Sequence, residues 1–549
     1  MTESKNVIKV IDYKYMLGIL IMIMGIITFL FWVSKKEVWF CDEIYTFQSA
    51  HGMEQEWPAT IKGRWISDAE MEAFFSADAE HLSLKWISDS LYSDHVPLYF
   101  WIYRIIAFFC FKGSSTLWTG YSINIFFYSL FLLCAYGFWQ KVTKKPILSA
   151  GIVLVSSIVN KVMIAQITIL RMYMMLVFAE MILMIVCLKI LKDKNNEKLK
   201  FSNYFLLFVV SVFGFLTHYD YWIFYVVTAA IFCAWLVLLA IRKKKAFFWK
   251  SIEFRCVVAW IGNFICSLLL TIIIFPYCRW NLNRDKGKTA LNSIFMFSLE
   301  KLKNILWGFK RLSISIFGES MPFEIGILIL FCCIIGAVIL LYRAKELNKM
   351  SVLCFMVSIA LVYQMIVCFT FPAGNEERYL WGNFTLIHMC FVWSSYLILD
   401  KLLNGVKKIK KVYVLYGVSL CFTIVLLVFQ WNSIDMGRGI PYLFHPQKDM
   451  EALESKRELH WVVYGSVEDV YSYYDWLIPN QICFLSQNNT VEDREAVLKL
   501  EEIEEFVLYT YPAYFPQAME FLDQQLKGKY TGEKLTQSTN MEVYIISKN

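Results

Sequence analysis

Twelve apolar runs of near-bilayer length divide this chain, and no other feature restricts its fold as severely. A helix crossing about 30 Å of hydrocarbon needs roughly 20 mostly apolar residues. The runs fall at 16–33, 97–111, 119–138, 147–163, 172–191, 203–218, 221–241, 254–277, 322–342, 351–371, 379–399 and 411–430. Of the 549 residues 58% are hydrophobic and 18% charged, more apolar surface than a soluble fold can hide. Together these predict an all-α polytopic membrane protein of about 11–12 transmembrane helices. The first run lacks a small-residue cleavage site and reads as a retained signal anchor.

The net charge of +7 is spread over short basic clusters between the runs. These are topology signals rather than a nucleic-acid footprint, so nucleic acid is excluded as a partner. The fifteen cysteines form no CxxC and no Cys/His metal spacing, and pairs such as Cys332 and Cys333 sit inside apolar runs as small hydrophobes.

Lysines and arginines mark the cytoplasmic ends of spans. Lys5, Lys9 and Lys14, the Lys189–Lys194 loop, Arg242–Lys245, Arg343–Lys349 and Lys407–Lys411 all read as internal. The stretches 34–96 and 278–321, the loop 372–378 and the tail from Trp431 then lie outside. Twelve crossings would return the tail to the cytoplasm, against the basic loop before the last run. The fifteen-residue run 97–111 is the one expected not to cross, which leaves eleven and puts Lys141, Lys144 and Lys145 inside. The expected divisions are 1–33, 34–96, 97–430 and 431–549.

The outer ends collect ionisable groups. Asp42 and Glu43 lie in VWFCDEIYTFQSA among Trp39, Phe40, Ile44, Tyr45 and Phe47. A partly desolvated carboxylate there gains basicity, which suits a general base or a metal ligand, while Asp also serves as a helix N-cap. Successive helical residues point about 100° apart, so the two acids are expected to act differently. Asp94 and His95 precede Pro97, which can open a helix. His95 fits an interfacial hydrogen-bonding residue or a ligand. Arg171 is the sole charge between Lys161 and Glu180, and either meets an anion or snorkels to headgroups. His218 with Asp220 can bind a metal or phosphate, or cap a turn. Arg378 presents a fork suited to a phosphate, or pairs with Glu376 or Glu377. The remaining acids of the first loop read as a solvated face with short surface helices.

The order of these motifs resembles the GT-C glycosyltransferases, closest to the branch of protein O-mannosyltransferases and lipid A aminoarabinose transferases. The DE pair with Tyr45, the D-H-x-P-L-Y-F stretch containing Asp94, His95 and Tyr99, and the R-M-Y of Arg171 and Tyr173 carry the likeness. So do the T-H-Y of His218 and Tyr219 and the E-R-Y of Glu377, Arg378 and Tyr379. The family usually has His-Pro-Pro-Leu-Tyr-Tyr where His95 to Phe100 stand here. The resemblance covers Met16–Leu399. It implies inverting transfer of a sugar from a polyprenyl-phosphate donor to a glycan, lipid or protein acceptor on the outer face of a bacterial plasma membrane. By the same likeness Asp42 is the base and Glu43 its support, Arg171 and Arg378 bind the phosphate, and Tyr45, Asp94, His95, Tyr99, Tyr173, His218, Tyr219, Glu377 and Tyr379 line the pocket. No cofactor is required by it, and a divalent metal on Glu43, His95 and His218 stays open. A flippase or transporter of lipid-linked saccharides is the alternative, disfavoured by the scarcity of mid-membrane charge and by the lack of internal repeats.

Beyond Trp431 the strand-like WVVYG, ICFLS, EFVLYTY and MEVYIIS alternate with the helical VEDVYSYYDWL, TVEDREAVLKLEEI and PQAMEFLDQQL. These predict a small C-terminal α/β domain outside the membrane, without a phosphate-binding glycine loop.

Overall fold

The computed structural model describes residues 2–36, 41–51, 63–67, 69–71, 82, 84–91, 95–112, 116–158, 160–195, 199–242, 251–281, 298–370, 377–403, scattered positions in 414–428, 452–456, 458–465, 481–538 and 541–549. The chain forms two compact units. One comprises Met1–Trp32, Leu91–Tyr99 and Tyr121–Asp435, the other Val33–Ser90, Phe100–Gly120 and Met436–Asn549.

In chain order the elements begin with α1 (Thr2–Val33), α2 (Cys41–His51), β1 (Arg64–Ile66), α3 (Leu98–Phe111) and α4 (Leu117–Thr143). Then follow α5 (Pro146–Ile158), α6 (Lys161–Thr168), α7 (Tyr173–Asn195), α8 (Phe201–Thr217), α9 (Tyr219–Arg242) and α10 (Ile252–Ile274). The helices α11 (Leu299–Phe317), α12 (Phe323–Arg343), α13 (Leu347–Thr370) and α14 (Trp381–Leu402) complete the apolar part. Among the described residues eight helices are long and apolar enough to cross a membrane, or nine if α5 and α6 count as one bent span. The run 411–430 lies largely outside the described residues.

Lipid solvation is visible in how the residues are sorted. On α10 Val258, Ile261, Ile265, Leu269 and Ile273 are exposed at spacings of three or four residues, forming an apolar stripe that only hydrocarbon solvates well. Inside, aromatic rings interlock: Trp139 meets Trp393 at 5.2 Å edge-to-face, and Phe232 meets Trp260 at 4.8 Å.

Two parts of the apolar region differ from the sequence reading, and a third, the short helix expected in the run 97–111, agrees with it. The run 147–163 is not one straight span, for α5 and α6 meet at a 66° bend. Asn160 explains the restart: its carboxamide oxygen accepts the Val162 backbone N–H at 2.8 Å, capping α6. The outer stretch 278–321 contains the 19-residue helix α11, which packs on α12 and α13. At 14 residues, about 21 Å, α3 is too short to cross.

The second unit is built on a six-stranded sheet in the order β1-β3-β2-β4-β6-β5, with β2 (Trp461–Tyr464), β3 (Ile482–Leu485), β4 (Glu505–Thr510), β5 (Tyr530–Ser538) and β6 (Met541–Lys548). β2 runs parallel to both β3 and β4, and the other pairs are antiparallel. The helices α15 (Val491–Leu498) and α16 (Phe515–Gln525) bury Ala496, Val497, Phe521 and Leu522 against it. A Thr490–Asp493 capping box starts α15. The four strands read from the sequence are present, as are the two helical patterns in 490–526. VEDVYSYYDWL lies outside the described residues.

β1 was not foreseen. This strand of the first loop adds antiparallel to β3, and the Trp65 indole N–H donates to the Ala496 carbonyl at 2.9 Å. Gly63 makes the approach possible: its φ is +67°, and a Cβ there would strike the backbone of Glu492 and Asp493. The first loop and the C-terminal sheet therefore belong to one folded unit.

Candidate functional site

Arg171 sits in the short link between α6 and α7, and the chain holds it there with dedicated hydrogen bonds. The Ile169 N–H returns to the Ala165 carbonyl at 3.0 Å, and the Arg171 N–H to the Ile169 carbonyl at 2.8 Å. Asn124 of α4 donates its amide to the carbonyls of Ile167 at 3.1 Å and Ile169 at 2.7 Å. These carbonyls end a helix inside an apolar unit, where water is not at hand to satisfy them. Arg171 itself is buried, which removes the snorkelling alternative.

The Arg171 Nη2 lies 3.1 Å from His95 Nε2. A guanidinium nitrogen only donates, so His95 Nε2 accepts and carries no proton. His218 links α8 to α9, and its Nδ1 accepts the Asp220 backbone N–H at 3.0 Å. This places the remaining ring proton on Nε2. Burial, with the guanidiniums of Arg171 and Arg378 close by, pushes the His218 pKa down to about 3. Both histidines are therefore neutral hydrogen-bonding groups.

Around His218 the rings of Tyr173 at 5.8 Å and Tyr379 at 6.3 Å close the wall, and Tyr173 packs on Trp381 at 5.2 Å. Tyr173, Tyr219 and Trp381 are the first residues of α7, α9 and α14. Three helix N-termini thus gather at one end of this unit, beside the buried guanidinium of Arg171 and the half-buried one of Arg378. Such an arrangement offers partial and full positive charge to an anion. Arg378 stands over the Tyr379 ring at 5.7 Å, and the Tyr379 carbonyl accepts the Tyr363 hydroxyl at 2.8 Å. Tyr219 packs against Trp222 at 5.9 Å.

Sequence reading missed Arg311 and Lys161. Arg311 of α11 pairs with Glu377 at 3.6 Å, while Glu376, the other partner expected for Arg378, lies outside the described residues. Lys161, buried at the start of α6, lies in the field of Glu377 and Glu319. Both were obscure because their partners come from distant segments. Deeper in the unit Glu180 of α7 is buried against Gly382 of α14, where a Cβ would collide with its carboxylate.

The second unit holds the DE pair. α2 begins at Cys41, so Asp42 lies within the first turn and is not its N-cap. Its backbone carbonyl accepts the Thr46 hydroxyl at 3.0 Å. Glu43 is fully buried in an ion pair with Lys36, whereas Asp42 and Tyr45 are half-buried. The two acids therefore do face different surroundings, as expected from their 100° separation. Tyr99 is buried near the start of α3, and Asp94 lies outside the described residues. Among the described residues no three His, Cys, Asp or Glu side chains stand together as a metal site. Glu43 is occupied by Lys36 and His95 by Arg171, and these residues do not fit a metal centre.

No family model and no curated protein matches the chain. Among solved structures it is similar to ArnT from Cupriavidus metallidurans bound to undecaprenyl phosphate, at 10% identity and a TM-score of 0.47 over 96% of this chain and 97% of that one. It is also similar to the archaeal oligosaccharyltransferase AglB from Archaeoglobus fulgidus in complex with an inhibitory peptide and a dolichol-phosphate, at 9% identity and 0.45 over 96% and 74%. Both belong to the GT-C group that the sequence motifs resemble. At these identities and scores the likeness carries no conclusion about what this chain does.

Proposed function

We propose that the protein is a membrane glycosyltransferase that moves a sugar from a polyprenyl-phosphate donor to a hydroxyl acceptor. The observation that carries this reading is the convergence of Arg171, Arg378 and the N-termini of α7, α9 and α14 around the neutral His218. A polyprenyl phosphate is a competent leaving group, so the site's main task is to offset the charge that develops on the departing phosphate. Guanidiniums do so at any physiological pH and grip two oxygens at once. His218 Nε2–H adds a neutral donor.

In the proposed reaction the acceptor oxygen attacks the anomeric carbon as its bond to the phosphate oxygen breaks, with inversion. The hydroxyl proton passes to Asp42, an assignment that rests on the order of the sequence motifs. Glu43, bound to Lys36, shapes α2 and does not take the proton. The basic clusters of α4, α7, α12 and α13 lie at the other end of the first unit, which supports an arginine site on the outer face.

The test is transfer of radiolabelled sugar from polyprenyl phosphate by the purified protein, comparing wild type with Asp42→Asn and Arg171→Gln. Both variants are expected to lose at least ~100-fold in kcat/KM, as for other charge-stabilising or base groups. Undiminished transfer in Asp42→Asn removes the base, and undiminished transfer in Arg171→Gln removes the phosphate site.

A further inference from the structure

Lysines crowd the end of the first unit that the arginine site does not use. Lys189 and Lys192 close α7, about 25–30 Å along its axis from Tyr173. Together with Lys141 in the last turn of α4 and Lys144 just past it, Lys200 before α8, and Lys345 and Lys349 at the α12–α13 corner, they line one recess of about 1420 Å³. Against these seven lysines the described lining has two acids, Asp193 and Glu346. Asp193 is met by Lys200 at 3.4 Å and by Asn203, and Glu346 by Lys349 at 2.5 Å. The apolar Val142, Leu188 and Val352 complete the wall.

Two details go beyond what a topology signal needs. The charge rule asks only for bases near loops, whereas here four separate segments bring them to one cavity. Lys144 and Lys345 also adopt φ of +58° just past the ends of α4 and α12. That left-handed position usually belongs to glycine, and lysine occupies it twice on the same recess.

We propose that this recess binds the headgroup of an anionic phospholipid carrying two phosphodiesters. Seven ammonium groups exceed what a single phosphate satisfies, and the recess opens at the border of apolar helices, where a headgroup sits and its chains continue into lipid. Clustered lysines between membrane helices are a recurrent means of holding such headgroups.

The experiment titrates the full-length protein in detergent with cardiolipin and with phosphatidylethanolamine, reading bound lipid by native mass spectrometry. Wild type is expected to hold cardiolipin at least ~10-fold tighter. The variant Lys189→Gln/Lys192→Gln/Lys345→Gln is expected to lose roughly 100-fold, about fivefold per lysine. A control that removes three lysines exposed on the second unit, Lys499→Gln/Lys527→Gln/Lys529→Gln, keeps wild-type binding. Equal affinity for the two lipids, or equal loss in the control, overturns the proposal. If the triple variant does not fold, acetylation of wild-type lysines decides: cardiolipin should shield Lys189 and Lys192 but not Lys527, and unchanged labelling overturns the site. Full displacement of cardiolipin by equimolar inorganic diphosphate would make it a site for a soluble anion instead.

Discussion

Asn124 makes no expected contact with substrate, yet the placement of Arg171 depends on it. Its amide serves the carbonyls of Ile167 and Ile169, which bracket the turn that presents the guanidinium. In Asn124→Leu the Ile167 carbonyl loses this donor in a dry interior, at about 1–3 kcal/mol, while the Ile169 carbonyl is left with the Arg171 backbone N–H. The link between α6 and α7 can recover part of this only by rotating the carbonyls toward other donors, which moves Arg171 away from His95. A shift absorbing about 3 kcal/mol corresponds to roughly 100-fold in kcat/KM. Asn124→Asp keeps the shape but turns an acceptor toward two carbonyls, so it should be at least as damaging. The assays are sugar transfer and retention of polyprenyl phosphate, with thermal unfolding as the check on folding. Wild-type transfer by Asn124→Asp would refute this account, because volume is preserved there and only the donor is lost.

Glu43→Gln leaves the Lys36 ammonium buried without its carboxylate, at a cost of about 3–5 kcal/mol. A clear fall in melting temperature is expected there and little change in Asp42→Asn, while Lys36→Met/Glu43→Leu should recover most of the loss. His218 is neutral when folded down to about pH 3, so transfer should show no His218 limb between pH 5 and 8. Because its folded pKa is below the unfolded value near 6.5, the unfolded chain binds the extra proton, and stability falls as pH drops from about 6.5 toward 3. His218→Gln should flatten that part of a melting-temperature profile, and an unchanged slope would count against the assignment. Arg171→Lys should lose transfer, and the remainder should decline as pH rises, since a buried ammonium gives up its proton more readily. A flat profile at the wild-type rate would rule out the phosphate role. Gly382→Ala should destabilise by about 1–3 kcal/mol although alanine favours helices, because its methyl meets Glu180, and Glu180→Ala in the same chain should relieve it.

The membrane helices were legible because lipid imposes a long apolar run on each. Four strands of the second unit were legible for a similar reason, being apolar segments bounded by turns. What escaped were features whose cause is remote in sequence. Arg64–Ile66 has three residues and no pattern of its own, and becomes a strand only because β3 offers an edge and Gly63 a left-handed turn. β5, in YTGEKLTQS, carries mostly polar residues of a sheet edge. The break at Asn160 was hidden in an apolar run, since one asparagine changes mean hydropathy little yet caps a new helix. In the site, Arg171, His218 and Arg378 stood out as charges beside apolar runs. Arg311 and Lys161 did not, because nothing local distinguishes a lysine or arginine that will meet Glu377 from one that will meet water.

The two cationic ends of the first unit use different residues for a physical reason. At the arginine end Arg171 is buried and Arg378 half-buried, and burial favours the neutral form of any base that can lose a proton. Lys36 in the second unit illustrates the effect: burial pulls its ammonium downward even with Glu43 beside it. A guanidinium resists this, so Arg171 stays charged in a site that has already made His218 neutral. The neutral histidine is then a consequence of burial first and of the arginines second, even though the Asp220 carboxylate stands 3.3 Å from its Nδ1. Hydrogen bonding fixes its ring and leaves Nε2–H for an anion's oxygen. At the lysine end the recess is open, so water and mobile ions reach the ammonium groups and screen them from one another. On the proposed readings, flexible point charges suit a fluid headgroup there, while a phosphate that must leave along one direction requires the rigid fork.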